Sequence, residues 1–499
     1  MLVFNRSSIS SILLNGQKPL FRIFIFYIVS FLFLLFCSRT TSFLCDDPGA
    51  DTIIYRFAAS GWLDGVIPYQ DFFDNKGPYF YLLYVLGMFI HKGTFGLFLI
   101  QTLVMVATLE CLWRISVLMA PNRVSVVLAA LMAYLWFCFI FFDGGGLTED
   151  MSAPFIALPL LLYFKDLLEN RHHPVSYALI YGLCFGVLVL VRLNNALINA
   201  GLIFWLCCVM LRDGNYSQLL KNACAFLVGF SIAVIPMVYY FWSNNALDDL
   251  IYSTYIFNYK YAQLWAGIGG KSTMSIVLSD LMLLFPLILG SIFAFYYCKT
   301  NKKQCIYPGL AISAALIVYS FIRTANYPHY FMIEVPLLFV FSLFVFDSNR
   351  LKKAIWWILI GSASIIYLVP LTLKENVASI VKCRATKAIN ISEMVKTYVP
   401  AEEMTDIYTI GLFTENAAFE KLGVRPACKH PFNALTYSKI DERIAADIAE
   451  DMTPGRHKWA IAPAGKNQYD YLFENYEPLD TVENVILYRR NDQHSCLSQ

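Results

Sequence analysis

The chain has 499 residues, of which 58% are hydrophobic and 15% charged, and its formal net charge is +2. Soluble domains average roughly 45–50% apolar and about 25% charged residues, so this composition argues against a soluble protein. The near-neutral charge, without a basic face carrying interleaved aromatic residues, gives no indication of a nucleic-acid partner. Apolar runs long enough to cross the roughly 30 Å hydrocarbon core of a bilayer recur up to about residue 372. We therefore expect an α-helical polytopic membrane protein.

Eleven apolar runs within residues 1–372 are predicted to span the bilayer. They cover about 21–41, 96–118, 124–142, 152–167, 176–193, 196–211, 223–243, 275–298, 306–323, 330–346 and 354–372. The first run lacks a small-residue cleavage site, which favours an uncleaved signal anchor over a removed signal peptide. The run Pro78–Ile90 is short for a span, so its placement has to be decided from the charges around it.

The positions of lysine and arginine predict the orientation. If Pro78–Ile90 lies in the membrane interface, the basic linkers all fall on one side of the bilayer, whereas a full span would divide them. These linkers carry Arg6, Lys18, Arg22, Arg114, Arg123, Arg171, Arg212, Lys221, Lys299, Lys302, Lys303, Arg350, Lys352 and Lys353. Because basic loops stay in the cytoplasm, we expect a cytoplasmic N-terminus and a juxtamembrane or re-entrant helix at Pro78–Ile90. The C-terminal region is then expected outside the cytoplasmic (inner) membrane.

Residues 373–499 have the composition of a small soluble α/β domain, predicted to be extracytoplasmic. Strand-like segments at 407–413, 459–463 and 485–489 alternate with helical segments at 415–422 and 438–452. In an oxidising compartment one disulfide could form among four cysteines, and the sequence does not give the pairing. The four are Cys45, Cys383, Cys428 and Cys496.

The first predicted outer loop, residues 42–95, is dense in polar and aromatic residues. After Asp51 the apolar residues recur with helical spacing, which predicts an amphipathic helix lying on the membrane. Asp51 at its start either caps the helix or serves as a catalytic base, and the pattern leaves both readings open. Asp71, Asp74 and Lys76 follow in a turn bounded by glycine and proline. An aromatic belt at the interface accounts for the neighbouring rings but not for three charges among them.

The second predicted outer loop has three successive glycines, 144–146, followed by Thr148, Glu149 and Asp150. The polar residues could simply begin the next span, with Thr148 as the cap and the two acids favoured by the helix N-terminus. The glycines suit a place where backbone approaches a ligand or another loop closely.

Among the charged residues within or beside the predicted spans, Glu110 and the Lys165/Asp166 pair map to the inner half or inner rim, but four others map to the outer ends of their helices. These four are Arg192, Asp280, Arg323 and Glu334. An ion-coupled transporter would carry such charges near the midplane, whereas this bias predicts a site that opens to the outer leaflet. Cations there are available to bind a phosphate, and carboxylates for acid–base chemistry. His329, beside Tyr330, either contacts a headgroup or anchors the turn at the interface.

The residues from Pro68 to Pro78, with an aspartate shortly after the first span, resemble a motif of the GT-C glycosyltransferases, which use polyprenyl-phosphate-linked sugars. This family includes the protein O-mannosyltransferases and the lipid A aminoarabinose transferases. Weaker similarities to its bacterial branch lie at 146–150, 192–195 and 327–330. The resemblance implies a GT-C-type membrane domain with juxtamembrane helices in the first outer loop. It also implies sugar transfer to a hydroxyl of a cell-envelope acceptor (glycolipid, polysaccharide or protein) outside the membrane, most simply in one displacement with inversion.

The resemblance also assigns roles to residues. Asp51 matches the family's first-loop acid, which deprotonates or orients the acceptor hydroxyl, although Asp46 and Asp47 stand close enough to be rivals. Lys76 matches a lysine that neutralises the leaving lipid phosphate, helped by Arg192 and Arg323. Further expected catalytic residues are Asp71, Asp74 and Glu149, and further expected substrate-binding residues are Tyr69, Asp150, Asn194, His329 and Tyr330.

The sequence also departs from the aminoarabinose branch. Asn75 stands where that branch often has an acid, and Gly77-Pro78 replaces a double proline. These departures favour a hexosyl or pentosyl transfer over lipid A aminoarabinosylation. Some relatives bind a divalent metal, and the carboxylates could hold one, but no set of His and Cys residues with ligand spacing supports it. A lipid-linked polysaccharide transporter, and a glycan polymerase or ligase or non-catalytic scaffold, remain the alternatives to a transferase.

Overall fold

The computed structural model describes most of the chain. The described residues are 19–41, 43–268, 273–301, 303–322, 327–348, 385–432, 434–453, 456–465 and 476–491. The predicted span at 354–372, Arg323, Cys383 and Cys496 lie outside the described residues.

Long apolar helices form the membrane part. In chain order the helices are α1 (Pro19–Cys37), α2 (Ala50–Leu63), α3 (Pro78–Ile90), α4 (Thr94–Met119), α5 (Val124–Phe141), α6 (Thr148–Glu169), α7 (Val175–Val189), α8 (Leu197–Arg212), α9 (Tyr216–Ser243), α10 (Leu247–Ile251), α11 (Phe257–Ile268), α12 (Thr273–Thr300), α13 (Tyr307–Phe321) and α14 (Val335–Asp347). Short 3₁₀ segments at Leu193–Ala196 and Pro328–Glu334 precede α8 and α14. Within the described residues, eight helical segments are long and apolar enough to cross a membrane.

The spans predicted from the sequence correspond closely to these helices. Helices α7 and α13 are apolar but have only 15 residues each, so they are shorter than the runs predicted at 176–193 and 306–323. The core of the bundle centres on α14, whose side chains from Val335 to Val345 are all buried. A helix that is apolar on every face is expected in such a central position. The bundle therefore buries its last described membrane helix among the others.

Helices α2 and α3 lie in the first loop on one face of the bundle, which we call the loop face. The predicted helix forms, but Ile53, Tyr55 and Ala59 are buried as well as Ile54, Phe57 and Ala58, so α2 is covered on more than the one expected face. In α3, Pro78 stands in the first turn, where a missing N–H costs nothing. Its last turns expose Phe89 and Ile90, as expected of a helix that lies against lipid.

The C-terminal region forms a small α/β unit. Its helices are α15 (Thr386–Tyr398), α16 (Ala417–Leu422), α17 (Ala434–Ser438) and α18 (Glu442–Asp451), and its strands are β1 (Ile407–Thr409), β2 (Trp459–Pro463), β3 (Tyr476–Val482) and β4 (Val485–Arg490). The sheet order is β1-β2-β4-β3, with β1 parallel to β2 and β4 antiparallel to both its neighbours.

Two sequence predictions for this unit need correction. The strand expected over 407–413 ends at Thr409, and Gly411 two residues later has a φ of 72°, which no extended strand allows. The helix expected over 438–452 begins only at Glu442, because Asp441 has extended backbone and caps α18 by accepting a hydrogen bond from the Arg443 N–H at 2.9 Å. Strand β3 and helix α15 were not predicted.

The C-terminal unit packs directly on the loop face. The backbone N–H of Phe73 donates to the carbonyl of Lys429 at 2.8 Å, and Arg56 pairs with Glu420 at 2.9 Å. On the far side of the contact, Lys260 pairs with Asp441 at 2.6 Å. These contacts cover the first loop and hold its turns between the bundle and the C-terminal sheet.

Candidate active site

Asp51 stands in the first turn of α2, but it does not cap that helix. The cap position is Gly49, which has a φ of 84° and receives no side-chain cap hydrogen bond. Asp47 instead accepts a hydrogen bond from the Gly49 N–H at 3.0 Å. A side chain at Gly49 would lie 2.9 Å from an Arg39 guanidinium nitrogen, so this turn has room only for glycine. The carboxylate of Asp51 is therefore not used as the helix cap.

The electrostatic surroundings of Asp51 come from several segments. Burial raises the pKa of this carboxyl above its usual value, and the positive charges of Lys76 and His329 counteract part of the rise. Asp74 and Asp143 add to it. A carboxylate with a raised pKa is a stronger base once ionised, which suits proton abstraction from a hydroxyl.

Lys76 is held at the end of a short polar network. Its Nζ lies 2.5 Å from Asn75 Oδ1 and 3.8 Å from Asp74 Oδ1. It also lies 5.5 Å from the centroid of the Tyr55 ring. Asp74, which is buried, accepts a hydrogen bond from the Tyr81 hydroxyl at 2.6 Å. The lysine side chain keeps 20% exposure, so a ligand can still reach its ammonium group.

Two further contacts fix the backbone of this turn. The Tyr69 hydroxyl donates to the carbonyl of Lys76 at 2.7 Å, so the structure gives this expected substrate-binding residue a contact within its own loop. Asn258 donates through its amide to the Asn75 carbonyl at 2.8 Å and accepts from the Asn75 side chain at 2.9 Å. Asn75, where the aminoarabinose branch often has an acid, thus ties the lysine turn to the segment after α10.

The second predicted outer loop comes close to the first, as its glycines indicated. Gly144, Gly145 and Gly146 all have positive φ angles, of 85°, 62° and 74°. A Cβ on Gly145 would lie 2.3 Å from the Phe142 ring, and Gly146 accepts a hydrogen bond from the Tyr84 hydroxyl at 2.5 Å. The expectation of a close approach to another loop is confirmed.

Asp150 serves this loop structurally. One of its oxygens accepts from the Leu147 N–H at 2.6 Å, and the other accepts from Gln101 Nε2 at 2.7 Å and from the Gly146 N–H at 3.2 Å. The carboxylate is buried. Asp150 is the third residue of α6, and its side chain completes the cap by accepting the backbone N–H of the cap residue, Leu147. The expectation that Thr148 is the cap was wrong, because Thr148 is already the first residue of the helix.

Glu149, Arg192 and Tyr330 form a second cluster on the loop face. Glu149 is paired with Arg192, whose guanidinium carbon lies 4.0 Å from the centroid of the Tyr330 ring. Burial alone would lower the pKa of Arg192, but contact with Tyr330 and Glu149 raises it, so the guanidinium stays charged. His329 Nδ1 lies 2.7 Å from an Asp143 carboxylate oxygen, which joins this cluster to the glycine loop.

A cavity of about 300 Å³, here called the tyrosine cavity, adjoins these residues. It is lined by Arg192, Leu193, Asn194, Thr254, Tyr255, Asn258, Tyr259, Tyr261, Ala262, Ser320, Phe321, Tyr327 and Tyr330. Three expected site residues, Arg192, Asn194 and Tyr330, thus line one cavity, and Asn258 connects its wall to the lysine turn. The phenolic and amide groups of the lining are suited to a sugar.

A larger cavity of about 1090 Å³, here called the interdomain cavity, lies between α2 and the C-terminal unit. It is lined by Arg56, Phe57, Ser60, Leu63, Asp64, Val66, Gln70, Asp71, Phe72, Met88, Lys92, Thr405, Phe419, Glu420, Gly423, Val424, Arg425, Pro426, Ala427, Cys428, Lys429, Asp447, Glu450, Asp451 and Arg456. Charges of both signs alternate around it.

The structure separates Asp71 from the other expected catalytic residues. Its exposed carboxylate accepts a hydrogen bond from the Ile67 N–H at 2.8 Å and lines the interdomain cavity rather than the tyrosine cavity. Arg39, in contrast, was not singled out from the sequence. Its backbone N–H donates to the Gly144 carbonyl at 2.8 Å, and its side chain lies against Gly49 and Gly144. The only signal in the sequence for a role of Arg39 was its position as a lone arginine at the end of the first apolar run.

Among the described residues, no group of three or more His, Cys, Asp or Glu side chains is arranged to hold a metal ion. Cys428 is a free thiol, and the pairing of the four cysteines stays a prediction. The candidate site thus consists of the Asp51 carboxylate, the cationic side chains of Lys76 and Arg192, and the phenol and amide groups that line the tyrosine cavity.

Comparison with known proteins identifies the fold. No family model matches the chain, and no curated protein matches it. The crystal structure of ArnT from Cupriavidus metallidurans bound to undecaprenyl phosphate has a TM-score of 0.57 at 11% identity, over 95% of this chain and 98% of that one. The apo structure of the same protein has a TM-score of 0.55 at 12% identity, over 94% and 97%. The chain therefore has the fold of ArnT along nearly its whole length, which confirms the expected GT-C-type polytopic fold with a C-terminal domain.

Proposed function

We propose that this protein is a membrane glycosyltransferase that moves a sugar from a polyprenyl-phosphate-linked donor to a hydroxyl of a cell-envelope acceptor. The observation that carries the proposal is the proximity of the Asp51 carboxyl to Lys76, whose positive charge lowers the pKa of that carboxyl. A second, partly exposed cation, Arg192, lies in the neighbouring cluster on the loop face, and His329 of that cluster also acts on Asp51. Such a set matches the needs of this reaction, which are a base for the attacking hydroxyl and positive charge for the departing phosphate. A solved structure of the same fold, ArnT, is described as bound to undecaprenyl phosphate.

In this mechanism Asp51 accepts the proton of the acceptor hydroxyl as its oxygen attacks the anomeric carbon. The bond between that carbon and the phosphate oxygen breaks on the opposite side, so the configuration inverts. Polyprenyl phosphate leaves with the bonding electron pair, and Lys76 and Arg192 stabilise its growing charge. Alignment of the two substrates supplies a further part of the barrier reduction.

The remaining polar residues position these groups. Asp74 and Asn75 hold the ammonium of Lys76, and Glu149 and Tyr330 hold the guanidinium of Arg192. Arg192 lines the tyrosine cavity, and Asn258, another lining residue, contacts the turn that carries Lys76. These two contacts support placing the donor sugar in that cavity. The phosphate would then lie at the mouth of that cavity.

The central test uses purified protein in lipid nanodiscs, polyprenyl-phosphate sugars extracted from membranes, and release of polyprenyl phosphate as the signal. Asp51→Asn is expected to lower turnover about 10²–10⁴-fold, the usual loss on removing a general base. Lys76→Met is expected to cost about 10²–10³-fold, as for loss of one charge-stabilising group. Asp213→Asn, an exposed aspartate at the end of α8, is the matched control and should keep the wild-type rate.

Two outcomes would overturn the proposal, whereas loss of activity in Asp46→Asn in place of Asp51→Asn would only move the base to a neighbouring acid. Full turnover by both Asp51→Asn and Lys76→Met would remove the chemical basis of the proposal. Donor carried across sealed vesicles without release of its sugar would identify a lipid-linked polysaccharide transporter.

A further inference from the structure

A third cavity, of about 270 Å³, lies at the opposite end of the bundle and is here called the far cavity. Its lining comes from the end of α6, the start of α7, the end of α8 and the start of α9. The lining residues are Asp166, His173, Pro174, Tyr177, Ala178, Tyr181, Ile203, Leu206, Cys207, Met210, Leu219, Asn222, Ala223, Phe226 and Leu227. Asp166 stands 17 residues after Glu149 on α6, which is about 25 Å along a helix. The far cavity is therefore distinct from the candidate active site.

Close backbone packing keeps the far cavity open. A Cβ added to Gly182 on α7 would lie 2.0 Å from the Phe226 carbonyl oxygen, and one on Gly229 of α9 would lie 2.0 Å from the Leu179 carbonyl oxygen. The two helices therefore touch through their backbones beside the cavity, as small residues allow in membranes. Because this crossing fixes the distance between α7 and α9, the space next to it cannot close by sliding them together.

The polar residues at one end of the cavity satisfy each other. Asp166 accepts a hydrogen bond from the His173 N–H at 2.9 Å and contacts the His173 ring. The His173 carbonyl accepts from Gln218 at 2.7 Å and from Asn222 at 3.0 Å. These groups form a closed polar rim and leave no donor aimed into the apolar space.

Tyr181 is the exception. It is 5% exposed and lines the cavity, and its hydroxyl has no hydrogen-bond partner among the described residues. A buried hydroxyl without a partner is unfavourable, and a phenol donates strongly to a carbonyl oxygen. At the other side of the cavity, Leu227 is 60% exposed, so the space opens toward the surface that α9 presents to lipid. The cavity thus combines an apolar channel from the bilayer with one unsatisfied donor inside.

We propose that the far cavity binds one acyl chain of a membrane glycerophospholipid, with its ester carbonyl accepting a hydrogen bond from the Tyr181 hydroxyl. The chain fills the apolar space between α7, α8 and α9, and the ester lies below the polar rim. A polyprenyl chain fits less well, because its hydrocarbon carries no acceptor for Tyr181. The site is independent of sugar transfer and would exist whatever reaction the loop face performs.

The experiment uses the full chain in detergent micelles with two photoreactive probes, a phospholipid carrying a diazirine on its acyl chain and an isoprenoid phosphate carrying a diazirine on its prenyl chain. Labelled peptides are identified by mass spectrometry. The phospholipid probe is expected to label α7 to α9, and unlabelled phospholipid is expected to compete. Tyr181→Phe should lower this labelling about threefold to tenfold, the range for loss of one hydrogen bond.

Filling the cavity gives a second test. Ala178→Phe is expected to abolish labelling, whereas Cys224→Phe, which adds the same ring on an exposed position of α9, should leave it unchanged. Tyr239→Phe, at an exposed tyrosine of α9, is the control for Tyr181→Phe. If Ala178→Phe fails to fold, Tyr181→Phe still decides, because it removes one atom only. Labelling unaffected by Tyr181→Phe, or stronger with the isoprenoid probe, would overturn the proposal.

Discussion

Replacing Glu149 with glutamine tests how the second cluster is held together. The side chain of Glu149 is 2% exposed and that of Arg192 is 20% exposed, so solvent screens their attraction only weakly. Removing one partner of a buried ion pair typically costs about 3–5 kcal/mol, because the remaining charge is left uncompensated. Here the Tyr330 ring, with its centroid 4.0 Å from the guanidinium carbon, still offsets about 0.5–2 kcal/mol. We expect the free energy of unfolding to fall by about 1–4.5 kcal/mol, the difference between these two ranges.

The measurement is reversible unfolding in mixed micelles for wild type, Glu149→Gln, Arg192→Gln and the double variant. If the two side chains form a coupled pair, the double variant should be more stable than the sum of the single losses predicts, by about 1–3 kcal/mol. Glu169→Gln is the matched control, because its partner Arg171 is 46% exposed and such surface pairs contribute about 0–1 kcal/mol. Additive losses, or a loss no larger than in the control, would refute the reasoning.

The same variant separates a positioning role of Glu149 from a catalytic one. If Glu149 only holds Arg192, Glu149→Gln raises the KM for the lipid donor and lowers kcat, while the acidic limb of the pH profile remains. That limb belongs to Asp51 in the proposed mechanism. Disappearance of the limb in Glu149→Gln, together with its persistence in Asp51→Asn, would show that Glu149 is the base.

Three further predictions concern the first two loops. Asp74→Asn removes a negative charge that raises the pKa of Asp51, so the acidic limb of kcat/KM should move to lower pH in a pH series. Gly145→Ala should lower thermal stability by about 2–4 kcal/mol, since it combines a positive φ with overpacking. Gly214→Ala, at a φ of 69° with open space around it, should lose only about 1–2 kcal/mol. Asn258→Leu breaks both amide contacts to the lysine turn, so the donor KM should rise with less effect on kcat in steady-state kinetics.

Local sequence signals predicted the parts of the fold that depend on periodicity. The apolar residues of α2 recur with helical spacing, and the helix forms with Ile54 and Phe57 buried. The three glycines of the second loop indicated a close approach, and Gly145 has no space for a side chain. Both signals indicate that the residues pack closely against other groups, and neither depends on which groups those are.

Features that depend on remote contacts were not predictable. Nothing near Arg39 in the sequence indicates that it lies against Gly144, because this contact joins two loops about a hundred residues apart. Asp150 has the same neighbours in sequence whether it caps a helix or binds a substrate, and the decisive hydrogen bond comes from Gln101 on α4. Strand β3 contains Pro478 and pairs only at the edge of the sheet, so its pattern is weak.

The position of Lys76 depends on contacts that lie outside the first loop. The turn that carries it is held at Phe73 by a backbone hydrogen bond to Lys429 of the C-terminal unit, and at Asn75 by the amide of Asn258. The segment around Asn258 is in turn paired with the C-terminal unit, since Lys260 contacts the cap of α18. These contacts couple the position of the Lys76 ammonium group to the docking of the C-terminal unit. In the proposed mechanism, a domain without a recognisable motif thus contributes to turnover through the geometry of one lysine.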